Sequence, residues 1–469
     1  MRKYLAIVLG VLLVLSVAAT ASAMDTEVIL GGKIMVRGWY WKNVEHGLPV
    51  ATDSQAFYTT EASLDVDVEV EENVRGFIEL ETSAFGEPYS GEYVWGQPGY
   101  DTKPSADLYF RQLWIMYYGS ALLGVPAGIK IGHMPLSLGE KQFLNNERFG
   151  DDAILVWVDP TKELHVAAGL LKLAEGDYYN HTDDLDGYIL LATYALDKDN
   201  TVGLNWTYIH SDGYCPFLDY YDPIDDERII VLPSVDKLNF HNLGIHGNGD
   251  ISGLTWAAEV DIQFGKVEAT IPPVTTWPST ANSIKAKGWA AMVKLGYMVD
   301  PINIRGSFAY GSGDSDGLND GDCKEFQTLM GPDDIEPTNR LVHYTQIYER
   351  TIDTTAMNSL LTTTPGGNVR STGIANTTYY NLGLDWAATP ALNMSLDGYI
   401  LRASKVPTGS GCSKSAGTEL DFKGTYNIAK NLEYFVEAAG FWPGGFYEDY
   451  YGLDKETVTQ LVHGLLLKF

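Results

Sequence analysis

Polar and apolar residues alternate along much of the chain. In residues 64–71 every odd position is acidic and every even position is apolar, and residues 74–81 largely repeat the alternation. Successive side chains of a β-strand point to opposite faces, so each run predicts a strand with one apolar and one charged face. The short polar segment 71–73 predicts a tight turn, which makes the two strands antiparallel neighbours.

The same alternation recurs to the end of the chain. It predicts about 18 strands, with boundaries defined to ~2–4 residues. We place them at residues 27–44, 55–71, 74–85, 105–119, 127–138, 152–159, 163–176, 184–197, 201–211, 238–249, 254–267, 283–299, 302–312, 376–388, 392–404, 416–429, 431–443 and 456–469.

The connections between these strands alternate between short and long. Segments such as 159–162 and 389–391 are short, whereas 211–237 and 313–375 are long loops. A β-sandwich also alternates apolar and polar residues, but it has no reason to sort its loops by length. The pattern therefore predicts an all-β fold, a transmembrane antiparallel up-and-down barrel with short periplasmic turns and long extracellular loops.

Both ends of the chain fit an exported barrel. Arg2 and Lys3 form a basic start, residues 4–19 are apolar, and residues 21–23 form a small-residue cleavage site. We expect residues 1–23 to be a cleaved signal peptide and residues 24–469 to form a single barrel domain. Both termini are then periplasmic.

The last strand is apolar at alternate positions and ends on Phe469. This resembles the terminal signal by which outer-membrane barrels are recognised. We therefore expect Phe469 to be an assembly signal, with the barrel-assembly machinery as a partner.

The composition narrows the function classes. The chain has 61 acidic and 32 basic residues, and its formal net charge is −29. Such a chain repels phosphate backbones, so we expect no nucleic-acid binding. By composition alone, a periplasmic or extracellular all-β protein of two domains is the alternative. We expect outward-facing aromatic residues in the headgroup belts, namely Tyr40, Tyr58, Trp114, Tyr118, Trp206, Tyr208 and Tyr434.

If the apolar face meets lipid, strand parity predicts which charged side chains line the lumen. The acidic ones are Glu61, Asp65, Asp67, Glu69, Glu79, Glu81, Glu259, Asp261, Asp397, Glu419, Asp421, Glu433 and Glu437. The basic ones are Lys33, Arg37, Arg75, Arg305 and Lys423. A net acidic lining favours cations over anions. Alternatively, these charges form ladders of ion pairs that brace the wall.

Several motifs resemble those of a known family. They are Ile-Lys-Ile-Gly-His at 129–133, Leu-Ser-Leu-Gly at 136–139, Tyr-Gly-Ser-Gly-Asp at 310–314 and Phe-Gln-Thr-Leu-Met at 326–330. In this pattern the chain resembles Gram-negative outer-membrane porins, and more narrowly the alginate-export-type family of 18-stranded barrels. That family usually has Gly-Arg in place of Gly132-His133 and a basic pore. The acidic lumen predicted here departs from that pattern. The departure does not affect the predicted architecture, but it does not favour a polyanion as the substrate.

The resemblance and the predicted barrel imply a function in the outer membrane. We expect a channel for passive diffusion of small hydrophilic solutes or ions, with the 313–375 loop as the leading candidate for a constriction. The alternative is a scaffold or export barrel that holds a protein partner or polymer in its lumen. Membrane lipid and lipopolysaccharide are expected contacts, and a homotrimer is the assembly common among porins.

The loop that begins at residue 313 carries closely spaced carboxylates. Asp314, Asp316, Asp320 and Asp322 could surround a calcium ion, although their spacing does not match an EF-hand. A solvated acidic loop is the alternative. No other cofactor is expected.

Other chemistry-bearing residues form no recognisable catalytic arrangement, so we expect no enzyme activity. The G-x-S-x-G and H-E-x-x-H motifs are absent from the sequence. Cys215, Cys323 and Cys412 all lie in predicted long loops, where one pair could be bridged after export.

Overall fold

The structure is a computed structural model, and most of its described part is β-strand. It describes residues 26–44, 48–70, 72–83, 93–95, 107–122, 124–174, 184–213, 219–221, 228–230, 234–270, 283–318, 320–330, 345–352, 354–358, 360 and 373–469. The predicted signal peptide and Cys215 lie outside these residues.

Eighteen antiparallel strands form one closed barrel. They are β1 Thr26–Lys42, β2 Gln55–Val70, β3 Val74–Ser83, β4 Asp107–Leu122, β5 Val125–Ser137, β6 Leu144–Val158, β7 Leu164–Ala174, β8 Leu185–Ala195, β9 Asn200–Ser211, β10 Ser234–Ile251, β11 Leu254–Thr270, β12 Trp289–Val299, β13 Ile302–Gly311, β14 Thr377–Thr389, β15 Leu392–Ala403, β16 Ser415–Ala429, β17 Leu432–Pro443 and β18 Val458–Lys468. Each strand pairs with the next one along the chain. The β18 strand returns to β1 in a register that runs from Lys33 opposite Lys468 to Lys42 opposite Thr459, which closes the barrel.

Shorter elements decorate the loops. Two-residue strands at Asp322–Cys323 and Leu329–Met330 pair with the ends of the barrel wall, and Ser283–Ala286 extends β12. The helix α1, Gly445–Tyr451, lies between β17 and β18. In the part of the chain that the structure describes, no helix combines the length and apolarity that a membrane crossing requires.

The predicted strand count and the predicted up-and-down order are confirmed. One strand was predicted too short, because β6 begins at Leu144 and not at residue 152. The six-residue link 138–143 before it is therefore much shorter than the loop that the sequence indicated. Residues 144–151 belong to the wall, since Asn145 pairs with Ser137 across β5 and β6 at its end.

The outer face of the barrel is apolar. Ile115, Ile245 and Leu382 are more than half exposed, as a lipid-facing surface requires. Tyr40, Tyr58, Trp206, Tyr208 and Tyr434 lie on this face, with Trp206 and Tyr208 in stacked contact with the ring of His241.

The outward placement of Trp114 and Tyr118 was wrong. Trp114 is buried on the inner face, where it stacks on Phe77. Tyr118 stacks on Trp157, also on the inner face. Residues 113–118 are apolar or aromatic on both faces of β4, so periodicity could not distinguish the two faces there.

The interior of the extracellular half contains an apolar core of its own. Phe143 from the link 138–143 stacks on Phe240 of the wall, and Phe326 and Tyr348 from the loop after β13 are fully buried. The helix α1 contributes Phe446 to the same cluster. Loops thus fold into the barrel and pack there like the core of a soluble protein.

Candidate functional site: the interior face of the barrel

Charged side chains occupy the interior face, opposite the exposed apolar residues. Most of the predicted carboxylates there contact a basic neighbour. Lys33 Nζ lies 2.5 Å from Glu61, and Arg37 donates to the same carboxylate at 2.9 Å. Arg75 pairs with Asp67 on the neighbouring strand. The wall-bracing alternative therefore applies to many of the predicted residues.

Arg305 holds two acidic side chains at once. Its guanidinium donates to both oxygens of Asp385, at 2.6 and 2.8 Å, and to both oxygens of Asp397, at 3.1 and 2.9 Å. The guanidinium lies beside Gly383, where a Cβ would come within 3.0 Å of Arg305. Planar bidentate pairing of this kind fixes the arginine against the wall.

Two predicted carboxylates on β11 are buried instead of facing open lumen, and one of them, Glu259, anchors the link 138–143. Glu259 and Asp261 are almost fully buried. The backbone N–H of Glu140 donates to Oε2 of Glu259 at 2.9 Å, and Asn242 Nδ2 donates to Asp261 at 2.7 Å. Gly139 has a φ of +56°, and a Cβ there would lie 1.9 Å from Glu259 Oε1, so both the backbone conformation and the close approach favour glycine.

A second carboxylate pair, on β16, anchors the loop after β13. The backbone N–H groups of Ile347 and Tyr348 donate to the two oxygens of Glu419 at 2.6 and 2.8 Å. The N–H of Gln346 donates to Asp421 at 3.2 Å. These are charge-assisted hydrogen bonds to backbone groups, which the sequence pattern gave no means to foresee.

An amide network joins the same loop to a second wall strand, β11. Gln263 on β11 exchanges hydrogen bonds with the backbone of Gln327, at 2.6 and 2.8 Å. Gln327 Oε1 in turn accepts from the N–H of Leu360 at 2.7 Å. Beside it, Glu325 is fully buried and accepts from the N–H of Met357 at 2.7 Å. Burial raises the pKa of the Glu325 carboxyl to about 8.

Three cations on the inner face of the wall strands were not predicted. Arg111 donates to Glu79 at 2.8 Å and lies next to a register shift in β4, which displaces it from simple alternation. Lys130 Nζ lies 3.9 Å from the centre of the Trp114 ring. Both Lys130 and Lys294 alternate with apolar neighbours, so parity could have identified them.

Lys294 opens onto a wall cavity of about 330 Å³ next to Arg305. Thr255, Ser307 and Asn381 also line this cavity, together with the rings of Tyr379 and Tyr399. Among the residues that the structure describes, no carboxylate lies within ion-pair distance of Lys294. Lys294 is therefore an available positive charge on the inner wall.

The predicted calcium ligands do not converge. Within the described ranges, no group of three or more His, Cys, Asp or Glu side chains is arranged to hold a metal. Lys324 Nζ lies 2.6 Å from Asp320 and 3.4 Å from Asp316. Lys287 Nζ lies 2.5 Å from Asp322, so ammonium groups already contact three of the four carboxylates. Asp314 accepts from the N–H of Lys324 at 2.9 Å. Calcium binding stays a prediction without geometric support.

The two described cysteines are not bridged. Cys323 is fully buried and Cys412 is half-buried, and both are free thiols. Burial raises the pKa of the Cys323 thiol well above its ordinary value, so this thiol is unreactive.

Comparison with known proteins gives the family. The sequence model of a family described as alginate export matches residues 200–459, more than half of the chain. The chain belongs to the alginate export family. No curated protein matches it.

Solved structures share the fold of this alginate export family member at low sequence identity. OprD from Pseudomonas aeruginosa is 8% identical, with 94% of each chain covered and a TM-score of 0.51. OccAB1 from Acinetobacter baumannii is 11% identical, with 94% of this chain and 96% of that chain covered and a TM-score of 0.52. OpdQ from Pseudomonas aeruginosa is 10% identical, with 94% and 98% covered and a TM-score of 0.52.

The barrel and its exterior give the location of this family member. An 18-stranded closed barrel with an apolar outer face is a structure of the bacterial outer membrane. The predicted localisation is confirmed.

Proposed function

We propose that the protein is an outer-membrane channel through which small hydrophilic solutes or ions diffuse passively, without chemical change. The observation that carries this proposal is the charged interior face of β1 to β3 and β13 to β17, set inside an apolar exterior. Such an interior is compatible with water and an 18-stranded wall is wide enough to hold it. The link 138–143 and the loop after β13 narrow the extracellular half.

We further propose a preference for cations. Asp65 and Glu433 are half-buried interior carboxylates, and among the described residues neither has a basic partner within ion-pair distance. The positive charges of Lys130 and Lys294 lower the attraction of the wall for cations, so we expect the preference for cations over anions to be moderate. An excess of negative charge at the wall raises the local concentration of cations.

Planar bilayer recordings test both parts of the proposal. Purified protein is expected to give discrete conductance steps, and a potassium chloride gradient is expected to give a reversal potential of the sign that cation flow requires. Heat-denatured protein is the control for leakage. Absence of steps would overturn the channel, whereas an anion-selective reversal potential would overturn only the preference.

A second candidate function is export of an anionic polymer. The family description names alginate, a carboxylated polysaccharide, and Lys130 and Lys294 offer positive charge on the inner wall. Soluble oligouronates of increasing length distinguish the two candidates. A diffusion channel for cations is not blocked by them, whereas an exporter shows length-dependent block from the periplasmic side.

The scaffold alternative, a barrel that houses a protein partner, has less support because the chain's own loops pack inside the extracellular half. Copurification of a stoichiometric second polypeptide would revive it. Lipopolysaccharide contacts, recognition by the barrel-assembly machinery and a homotrimer stay predictions.

A further inference from the structure

Residues 345–352 form a compact strap on the inside of the barrel wall. Ile347, Tyr348 and Ile352 are fully buried. The strap is a turn stabilised by its own hydrogen bonds, since the N–H of Thr351 donates to the carbonyl of Ile347 at 2.8 Å and the N–H of Glu349 donates to Thr345 Oγ1 at 2.8 Å. It is therefore a preformed unit.

The strap contacts the wall over several neighbouring strands. Tyr348 Oη lies 3.0 Å from Thr377 Oγ1 on β14. At the other end, Arg350 lies 3.5 Å from Glu437 on β17, and its guanidinium lies 5.7 Å from the ring of Trp39 on β1. The strap therefore covers the inner face of one continuous part of the wall, from β14 through β17 to β1.

The strongest contacts are the three backbone N–H groups that donate to Glu419 and Asp421. Glu419 uses both oxygens, one for Ile347 and one for Tyr348. Only an ionised carboxylate presents two acceptor oxygens without a competing hydrogen. Among the described residues, neither Glu419 nor Asp421 has a basic partner within ion-pair distance, and the backbone of the strap supplies three donors to the pair.

Without the strap, the neighbouring carboxylates of Glu419 and Asp421 would lose their backbone donors. The two side chains point to the same face of β16, and Asp397, which lies opposite Asp421 in the register with β15, is already held by Arg305. Like charges at such positions destabilise a sheet. The wall thus carries a carboxylate pair that is favourable only when backbone donors or water solvate it.

We propose that residues 345–352 are a detachable strap, that the Glu419–Asp421 pair is its latch, and that release of the latch widens the extracellular half of the channel. This inference rests on the proposed channel function. Released carboxylates gain water and the strap keeps its internal turn, whereas Ile347, Tyr348 and Ile352 lose their apolar contacts, so the released state is the minor one. The latch sets how often the wide state is visited.

The variant Glu419→Gln tests the latch. A glutamine presents one acceptor oxygen and one NH₂ group, so one of the two backbone N–H groups then faces a donor. Glu433→Gln on β17 is the matched control, because it removes an interior carboxylate that does not contact the strap. Folding of each variant is checked by heat-modifiable migration on gels.

Two readouts are measured for each variant. The first is the rate of trypsin cleavage after Arg350 in vesicles, with fragments identified by mass spectrometry. The second is the occupancy of high-conductance levels in bilayers. Glu419→Gln is expected to raise both by roughly tenfold, the scale of losing a hydrogen bond to a charged group, and Glu433→Gln is expected to leave cleavage unchanged.

Separate outcomes distinguish the latch from the channel. If folded Glu419→Gln and wild type are cleaved at the same rate, the latch is overturned. Conductance of the wild type in the same experiments would still support the channel function. A third outcome is that Glu419→Gln is cleaved faster but neither it nor wild type conducts. That result supports a detachable strap and overturns both the channel function and the proposed widening.

A cross-link keeps the inference testable if Glu419→Gln does not fold. Thr351 Oγ1 lies 3.4 Å from Gln460 Oε1 on β18, so cysteines at both positions lie within reach of a short bis-maleimide cross-linker with an internal disulfide. Cys215 and Cys412 are replaced by serine in this background, and Cys323 is kept. Cross-linking is expected to suppress cleavage after Arg350 and reduction of the cross-linker to restore it, whereas equal cleavage in both states overturns the strap's detachment.

Discussion

At the scale of single residues, several interior positions accept only one side chain. Gly128 on β5 makes room for the indole of Trp157, because a Cβ there would lie 2.1 Å from Trp157 Cζ2. The indole is a rigid ring, so it cannot shift aside for an added Cβ as the end of a flexible side chain can.

Gly128→Ala is therefore expected to lower the free energy of unfolding by about 1–3 kcal/mol. Gly76→Ala is the matched control, since a Cβ at Gly76 meets nothing within 4 Å, and its effect is expected to be within about 0.5 kcal/mol. Urea unfolding in lipid vesicles measures both. Equal stability of the two variants would contradict the close packing of Trp157.

Glu325 gives the loop after β13 a pH dependence. Its pKa is raised from 4.5 to about 8 by burial, and the nearby carboxylate of Asp314 acts in the same direction. The folded state therefore binds a proton that the unfolded state releases between these two values, so the contribution of Glu325 to stability falls as pH rises from about 4.5 to about 8.

The thermal midpoint of the wild type is thus expected to fall more steeply over this pH range than that of Glu325→Gln. Circular dichroism melts at intervals of one pH unit measure the difference in slope. Parallel slopes would show that Glu325 does not retain its proton in the folded protein.

At the scale of elements, the link 138–143 and the loop after β13 are tied to the same wall strand. Glu259 on β11 accepts from the first, and Gln263, four residues further along the same face of β11, accepts from the second. Both wall residues face inward because alternate residues of a strand share a face. A change in β11 should therefore reach both loops.

Gln263→Leu is expected to leave the N–H of Gln327 without its acceptor, at a cost of about 1–3 kcal/mol. Faster hydrogen exchange at the Gln327 amide would report the loss. Asn427→Leu, at an exposed interior amide, is the control and is expected to leave this exchange rate unchanged. Equal rates in wild type and Gln263→Leu would contradict the anchoring role.

At the scale of the whole molecule, the interior charges act together as one field. Under the proposed function, Lys294→Glu is expected to raise the permeability ratio of cations to anions by about twofold or more, because it replaces an available positive charge. Lys285→Glu on the outward-facing extension of β12 changes the net charge equally and is the control. A ratio that responds equally to both would place Lys294 outside the conduction path.

Closure of the barrel joins the two ends of the chain. Phe469 exchanges backbone hydrogen bonds with Gly32 at 3.0 and 3.1 Å, and its ring is exposed on the outer face. If Phe469 is an assembly signal, Phe469→Ala lowers the amount of folded protein in the outer membrane several-fold, while refolding in detergent is unaffected. Phe264→Ala, an exposed outer-face ring far from the closure, is the control, and equal loss in both would remove the special role of Phe469.

The sequence by itself determined the barrel, because its signals are local. Alternation of apolar and polar residues is enough to predict a strand with two different faces, and a short polar segment is enough to predict a turn. Strand number and order could therefore be predicted without any long-range contact. The same reasoning failed in β4, where Trp114 faces inward, since both faces of that strand meet apolar surroundings.

Only the tertiary structure decided what the interior charges do. Parity places Glu69 and Glu419 on equivalent faces, yet Glu69 is half-buried on the wall and Glu419 is covered by the backbone of residues 345–352. The partner of Glu419 lies 72 positions away in the sequence, in a loop whose inward path follows from packing of Tyr348 and Phe441. A carboxylate that faces water and one that accepts from backbone N–H groups occupy the same kind of position in an alternating sequence. Their roles therefore depend on long-range contacts that the alternation does not encode.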